Sequence, residues 1–404
     1  MDQPLCNMHE FPAAEQVAAG PFSFSGPGGR LAAGHELRPV DRGRADSLDV
    51  RVAEAFRCSR PGAVIGGALP FRRMDDDFLW CSQRPEYGPA TAGPDDCASG
   101  EAVLQTETSS RLYGEAVSEA LRVMDRERTG RDPLRKIVLA RTLAVIAPDR
   151  IAPDPLMARL GEDPSVTAFK VALPARSDSA AARWLVGATP ELLLEKRAGR
   201  IQSYPLAGSA RRSHDPVSDA EACSNLARSE KDRREHAMVV EYILDTLSPW
   251  CRNLGCPEGT GLTCTRSMWH LGTRIVGDLK NDTVPSVILA SALHPTPAVC
   301  GLPRDRAAAL IDRLEPVSRD FYAGVVGWCN QRGDGAWQVA IRCAELSGNR
   351  ARLFAGAGIV PGSDPDSETA ETGSKFAALL RAFGLPGDAA LELDASARLE
   401  EIGA

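Results

Sequence analysis

The stretch Lys136-Ile137-Val138-Leu139-Ala140-Arg141-Thr142-Leu143-Ala144-Val145 decides how this chain is read. It is short and rich in β-branched residues, which predicts a strand. Outward from it, Trp184-Leu185-Val186-Gly187 and Glu191-Leu192-Leu193-Leu194-Glu195 also read as strands, with a turn at Ala198-Gly199 bringing the chain back through Ile201-Gln202-Ser203-Tyr204. Gly324 to Gly327, Trp337 to Cys343 and Leu353 to Val360 complete the strand set. Helical spacing marks residues 109–128, through Tyr113, Val117, Leu121 and Met124, and a long pattern from Asp219 to Leu247 that stops at Pro249. Asp364-Pro365 is an N-cap and first-turn pair opening a last helix that ends near Gly384. Strands and helices mix without strict βαβ alternation, which predicts an α/β (mixed α+β) fold of sheets with helices packed outside. Residues 1–100 are irregular, with loops such as Arg84-Pro85-Glu86-Tyr87-Gly88-Pro89, and Ala63 to Leu69 is their one clear strand.

Composition narrows the function. The 404 residues are 43% hydrophobic and 25% charged, with a formal net charge of −7 and a pI near 5.6, which argues against a nucleic-acid partner. No run approaches the length of a membrane span, and Met1-Asp2-Gln3 opens without the features of a secretory signal. The eleven cysteines are odd in number and lack CxxC spacing, which points to reduced thiols and a cytoplasmic location. The histidines form no HxH or HExxH pattern, so His270 and His294 read as hydrogen-bonded or site-lining side chains rather than zinc ligands.

The sharpest chemical signal lies on the two helices. Asp232 and Glu235 are three apart and share a face with Val239, Tyr242 and Ile243. On the last helix Glu368, Glu371 and Lys375 fall within about 60° of one another, on the stripe continued by Thr372, Leu379 and Phe383. A buried carboxylate is costly without a cation or donors. Two converging acidic pairs would make an oxygen site suited to Mg²⁺. The same spacing also fits wide polar faces whose acids pair with Lys231, Arg233, Arg234 or Lys375. Lys136, at the head of an apolar strand, is either a snorkelling strand-end residue or an amine base of lowered pKa. Glu191 is either a strand-start residue or a general acid in an apolar pocket. Arg342 suits a carboxylate contact or an outward strand position. Gly356-Ala357-Gly358 would let backbone amides approach an anion, or simply ease a strand end. Nothing has the spacing of a nucleotide-binding glycine loop.

Taken in order, these pieces resemble the chorismate-utilising enzymes, a family that includes isochorismate synthases, salicylate synthases and the anthranilate synthase large subunit. The resembling segments are Lys136 to Arg141, Gly187 to Glu191, Pro205 to Arg212, Ser229 to His236, Trp269-His270-Leu271, His294 to Gly301, Phe321 to Trp328, Ala340 to Cys343, and Phe354 to Val360 with Glu368, Glu371 and Lys375. The resemblance implies a single domain over 1–404, with a loosely matching 1–100 and a motif-bearing core over 130–385, built from two large β-sheets cradling the site with helices outside. It implies Lys136 as the base that activates water and Glu191 as the acid that protonates the leaving hydroxyl. Glu235 and Glu371 match Mg²⁺ ligands, with Asp232 and Glu368 nearby. Arg342, Lys375 and the Gly356 amide match carboxylate-binding positions. Tyr322 is expected to assist at those positions, where family members vary; Gly208, Ser209 and Ala298 match positions lining the ring, and His270 belongs to the expected substrate-binding set. Lys136 is expected among cations, which would favour a neutral amine.

Three features favour the isochorismate synthases within the family. Ammonia-using members usually lack the lysine at position 136 and work with a glutamine amidotransferase, which this chain is expected not to need. Ala298 stands where salicylate synthases carry threonine, and Pro205 to Arg212 is similar to the group serving catecholate siderophores. The implied activity is Mg²⁺-dependent, reversible isomerisation of the small molecule chorismate by a monomeric enzyme without a membrane partner. The alternative is a salicylate synthase that goes on to eliminate pyruvate.

Overall fold

Residues 20–89, 102–176 and 181–402 are described by this computed structural model. The deciding stretch is strand β1, Lys136–Ile146, and ten of its eleven residues are buried. It can be almost wholly apolar because it is covered on both faces and paired along both edges. The elements that build the site follow it along the chain: strand β2 (Leu206–Arg211), helix α1 (Pro216–Arg228), helix α2 (Glu230–Leu247), strand β3 (Met268–Thr273), strands β4 (Gly335–Val339), β5 (Cys343–Ser347) and β6 (Arg350–Ile359), and helix α3 (Pro365–Ala382). Seventeen strands join in one antiparallel network, in which β6 runs beside β1 with Gly356 opposite Ala140 and Gly358 opposite Val138. A separate three-stranded sheet holds β3 between β2 and Thr260–Cys264. Among the described residues there are nine α-helices. α3 packs on β6, and α2 packs on β2. One cluster of buried apolar side chains runs from Phe22 to Ala390, so the fold is the mixed α/β arrangement expected.

Three expectations need correction. The helical pattern from Asp219 to Leu247 is two helices, because Ser229 takes extended backbone (φ −64°, ψ 110°) and its side chain accepts the Asp232 amide as the N-cap of α2. The run Trp337 to Cys343 breaks into β4 and β5 around Arg342, whose φ is +51°. The described residues of the irregular first hundred include four strands, Phe22–Gly26, Gly29–Pro39, Val64–Leu69 and Phe78–Gly88, so Arg84 to Gly88 is strand rather than loop. They are woven in, with Val64–Leu69 paired to Val325–Asn330 and Phe22–Gly26 to Thr167–Leu173.

Candidate active site

Between the small sheet and the β1–β6 ladder lies a pocket lined by eleven of the fourteen residues expected there: Glu191, Gly208, Ser209, Glu235, His270, Ala298, Tyr322, Arg342, Gly356, Glu371 and Lys375. The other three, Lys136, Asp232 and Glu368, stand just behind its wall. β2 and β3 bring Ser209 opposite His270, and a bulge between Ala207 and Ser209 is taken up by Gly208 at φ +75°. A side chain at 208 would also press on Asp232, whose Cβ lies 2.9 Å from where a Cβ would stand.

Lys136 is fully buried, and its Nζ lies 2.9 Å from Glu235 Oε1, an ion-pair contact off the hydrogen-bonding direction. Its nearest charged partner is therefore a carboxylate and not the cations expected. Glu235 reaches it because β6 carries glycine at 358: a Cβ there would stand 2.1 Å from Glu235 Oε1. Across the pocket Glu371 Oε1 accepts from Lys375 Nζ at 2.6 Å and from Ser209 Oγ at 2.8 Å. Burial pushes its carboxyl up, but Lys375 and Ser209 outweigh that and hold it below the usual glutamate range. Lys375 also donates to the Gly356 carbonyl at 2.8 Å. That carbonyl is available because β5 ends opposite Leu353 and leaves the rest of this edge of β6 without a strand beside it.

Glu191, immediately before Leu192–Arg197, is buried and has no ion pair among the described residues. Desolvation raises its pKa to about 8 against the longer-range pull of Lys136 and Lys375, so at neutral pH it carries a proton. His270 is neutral: burial, with Arg342 and Lys375 nearby, lowers it to about 3, and its Nε2 has no partner in the protein among the described residues. Tyr322 stacks on Phe354 with centroids 4.5 Å apart and planes at 10°. Besides Gly208, two non-glycine pocket residues hold left-handed backbone, Ala323 at φ +57° and Arg342 at φ +51°. Such conformations cost about 1–3 kcal/mol each away from glycine and persist where the surroundings enforce them. Here Arg342 stands immediately before β5, in the break that follows the end of β4 at Val339, and lines the pocket. His294 lies elsewhere, with Nε2 at 3.0 Å from the Pro70 carbonyl and 3.1 Å from that of Phe71.

The donor chemistry fits a hard divalent cation. Asp232, Glu235, Glu368 and Glu371 offer only oxygen, and both Asp232 and Glu368 are raised, first by burial and then by neighbouring carboxylates. As placed, lysines do the neutralising: Lys231 on Glu368, Lys375 on Glu371 and Lys136 on Glu235. Among the described residues no three acidic, histidine or cysteine side chains gather closely enough to hold an ion by themselves. The pairing of α2 and α3 acids with lysines is thus realised together with the inward-facing carboxylates, since both readings describe the same residues.

Sequence reasoning passed over the support beneath the pocket. Arg319, buried, pairs with Glu315 four residues earlier, just past the end of helix Arg304–Leu314, and donates to the carbonyls of Val138 and Val299, at 2.8 and 2.7 Å. Glu315 Oε1 in turn accepts the Ala140 amide at 2.8 Å. The only sequence signal was the four-residue spacing of an acid and a base, which is common on surfaces.

Comparison with known proteins matches a family described as chorismate binding enzyme over residues 86–384. The isochorismate synthase DhbC of Bacillus subtilis (strain 168) is 38% identical over 84% of this chain and 86% of its own length. The isochorismate synthase EntC of Escherichia coli (strain K12) is 38% identical over 80% and 81%. Among solved structures, DhbC from Bacillus anthracis superposes with a TM-score of 0.84 at 35% identity, covering 91% of this chain and 96% of that one. Anthranilate synthase component I from Streptococcus pneumoniae, at 19% identity and a TM-score of 0.65 over 93% and 94%, shares the fold.

Proposed function

This chain belongs to the chorismate binding enzyme family, and from that premise we propose that it is an isochorismate synthase, an isomerase that interconverts chorismate and isochorismate. The observation that carries the reading is the meeting, in one pocket, of a proton-holding Glu191, the Glu235 and Glu371 carboxylates and the Arg342 and Lys375 cations.

Chorismate is a dianion, so an enclosed site must supply compensating charge. Glu235 and Glu371, with Asp232 and Glu368 behind them, are the residues to hold Mg²⁺, which supplies positive charge against one substrate carboxylate. Arg342 and Lys375, with the Gly356 amide, bind the other. Glu235 cannot remain the counterion of Lys136 while its charge is committed to a cation, and the Lys136 amine is then the base that takes a proton from water attacking ring carbon C2. Glu191 delivers its proton to the hydroxyl leaving C4, and the ring double bonds shift between the two carbons. One water is added and one expelled, so atoms balance. A proton passed from Lys136 to Glu191 by way of solvent resets the pair. Neutral His270, Gly208, Ser209, Ala298 and Tyr322 shape the space around the ring.

The same reading makes the protein a cytoplasmic, monomeric enzyme of a siderophore pathway that works without a glutamine amidotransferase. The nine cysteines among the described residues are all free thiols, as a reducing compartment requires. No helix among them is long and apolar enough to cross a membrane. The deciding experiment is incubation of the purified protein with chorismate, with and without Mg²⁺, followed by chromatography. Isochorismate formed only with Mg²⁺ supports the reading. Fluorescent salicylate as the product would replace it with the pyruvate-eliminating activity, and no turnover would leave a binding protein.

A further inference from the structure

A second cavity shares a wall with the substrate pocket. It lies between the end of helix Pro153–Leu160 with the loop after it, the turn before β3, and the C-terminal end of α3. Two residues line both cavities, Pro190 and Arg342. Pro190 immediately precedes Glu191, so this wall stands beside the proposed acid. The guanidinium of Arg342 has no hydrogen bond or ion pair to protein among the described residues, so it is free to meet a ligand from either side.

The charge of this second cavity is opposite in sign to that of the chain as a whole. Arg159, Arg266, Arg342 and Arg381 line it, against the carboxylates Glu162 and Asp163. Four positive charges less two negative ones leave +2, in a chain whose formal net charge is −7. The two acids are also occupied. Asp163 accepts from the Arg266 amide at 2.7 Å and from Ser165, and Glu162 lies 3.6 Å from the Arg266 guanidinium. Arg159 is fixed in place by donating to the Ala382 carbonyl at 3.0 Å. Arg381 is exposed and has no ion pair among the described residues.

Helix α3 divides the two signs. Glu368 and Glu371 stand near its start and Arg381 in its last turn, about 15 Å further along by helical rise from Glu371. The arginine side attracts a dianion, and a low-dielectric cleft concentrates that field.

We propose that the arginine-lined cavity is an anion-binding antechamber, through which a dicarboxylate substrate is collected and passed by Arg342 into the ring pocket. This rests on the isochorismate synthase reading, because it takes the substrate to be a dianion.

The test is steady-state kinetics with chorismate at saturating Mg²⁺, from low to high ionic strength, on the wild-type enzyme, Arg381→Gln and the double variant Arg266→Gln/Arg381→Gln. Both side chains are exposed, so folding is not at stake. The expected result is a fall in kcat/KM of about tenfold for the double variant at low ionic strength, with kcat held within about twofold. The gap should close as salt screens the charges. Arg313→Gln, an exposed arginine on helix Arg304–Leu314 away from both cavities, should follow the wild type at every salt concentration. Equal kcat/KM for wild type and double variant at low salt overturns the antechamber, as does a loss that salt does not erase or one that Arg313→Gln shares. If the wild type itself fails to turn over chorismate, the functional reading fails instead, and the two failures are told apart by that one control.

Discussion

Glu191 and Glu371 open onto the same pocket, yet their carboxyls are driven in opposite directions. Glu191 is the more deeply enclosed and has no ion pair among the described residues. Glu371 keeps 27% of its side chain exposed and touches both Lys375 and Ser209. Desolvation acts on both, so depth alone does not set the charge. The difference is a cation and a hydroxyl within bonding distance of one and cations only at longer range from the other. A protonated carboxyl and an ionised one are thereby made from the same residue type, lining one pocket.

Removing the proton from the solitary side should have the largest effect. Glu191→Gln keeps shape and volume but cannot donate an acid proton, and kcat should fall about 10³-fold, read by chromatography of the products. Mn²⁺ affinity in the same variant should stay at the wild-type value. A variant retaining a tenth of the activity would end the acid assignment. On the paired side, Glu371→Gln should weaken metal binding about 100-fold, measured by calorimetric titration with Mg²⁺ before substrate is added. An unchanged affinity would remove Glu371 from the ligand set.

The pH profile separates the two acids without mutation. Glu191 is raised to about 8, so its donor form is present below that pH and is lost above it. The Glu191 limb of kcat/KM should therefore be flat through neutrality and drop about tenfold per pH unit beyond about pH 8. Glu371 is shifted the other way, so the carboxylate needed for a cation persists to lower pH than an ordinary glutamate allows. A falling alkaline limb that survives in Glu191→Gln would belong to some other group. The smallest effect is expected from Ser209→Ala, which deletes one hydrogen bond to Glu371. At about 1 kcal/mol for such a bond, Mg²⁺ affinity should drop about fivefold, with kcat at saturating Mg²⁺ nearly unchanged.

Much of this was legible in the chain itself, for reasons that can be named. Lys136–Ile146 was recognisable because a short β-branched run has few other solutions, and α3 because Asp364-Pro365 is a local start signal that the capping geometry honours. The inward-facing acids on α2 and α3 followed from helical periodicity alone. The break at Ser229 carried a local signal, a serine three residues before Asp232, but a continuous helical pattern masked it. The strands Phe22–Gly26, Gly29–Pro39 and Phe78–Gly88 escaped because glycine and proline dilute their alternation, and partners as distant as Thr167–Leu173 stabilise them.

What residue order determined by itself is the chemical inventory and its local placement: which acids share a helix face, which lysine heads a buried strand, and where the last helix begins. Those depend on interactions within a few residues, which a linear pattern records. Only the tertiary structure decided that Lys136 meets Glu235 rather than cations, that Arg342 turns left-handed into the wall between two cavities, and that Glu191 is left without an ion-pair partner. Each of these depends on distances between segments far apart in the chain, and charge interactions are set by those distances.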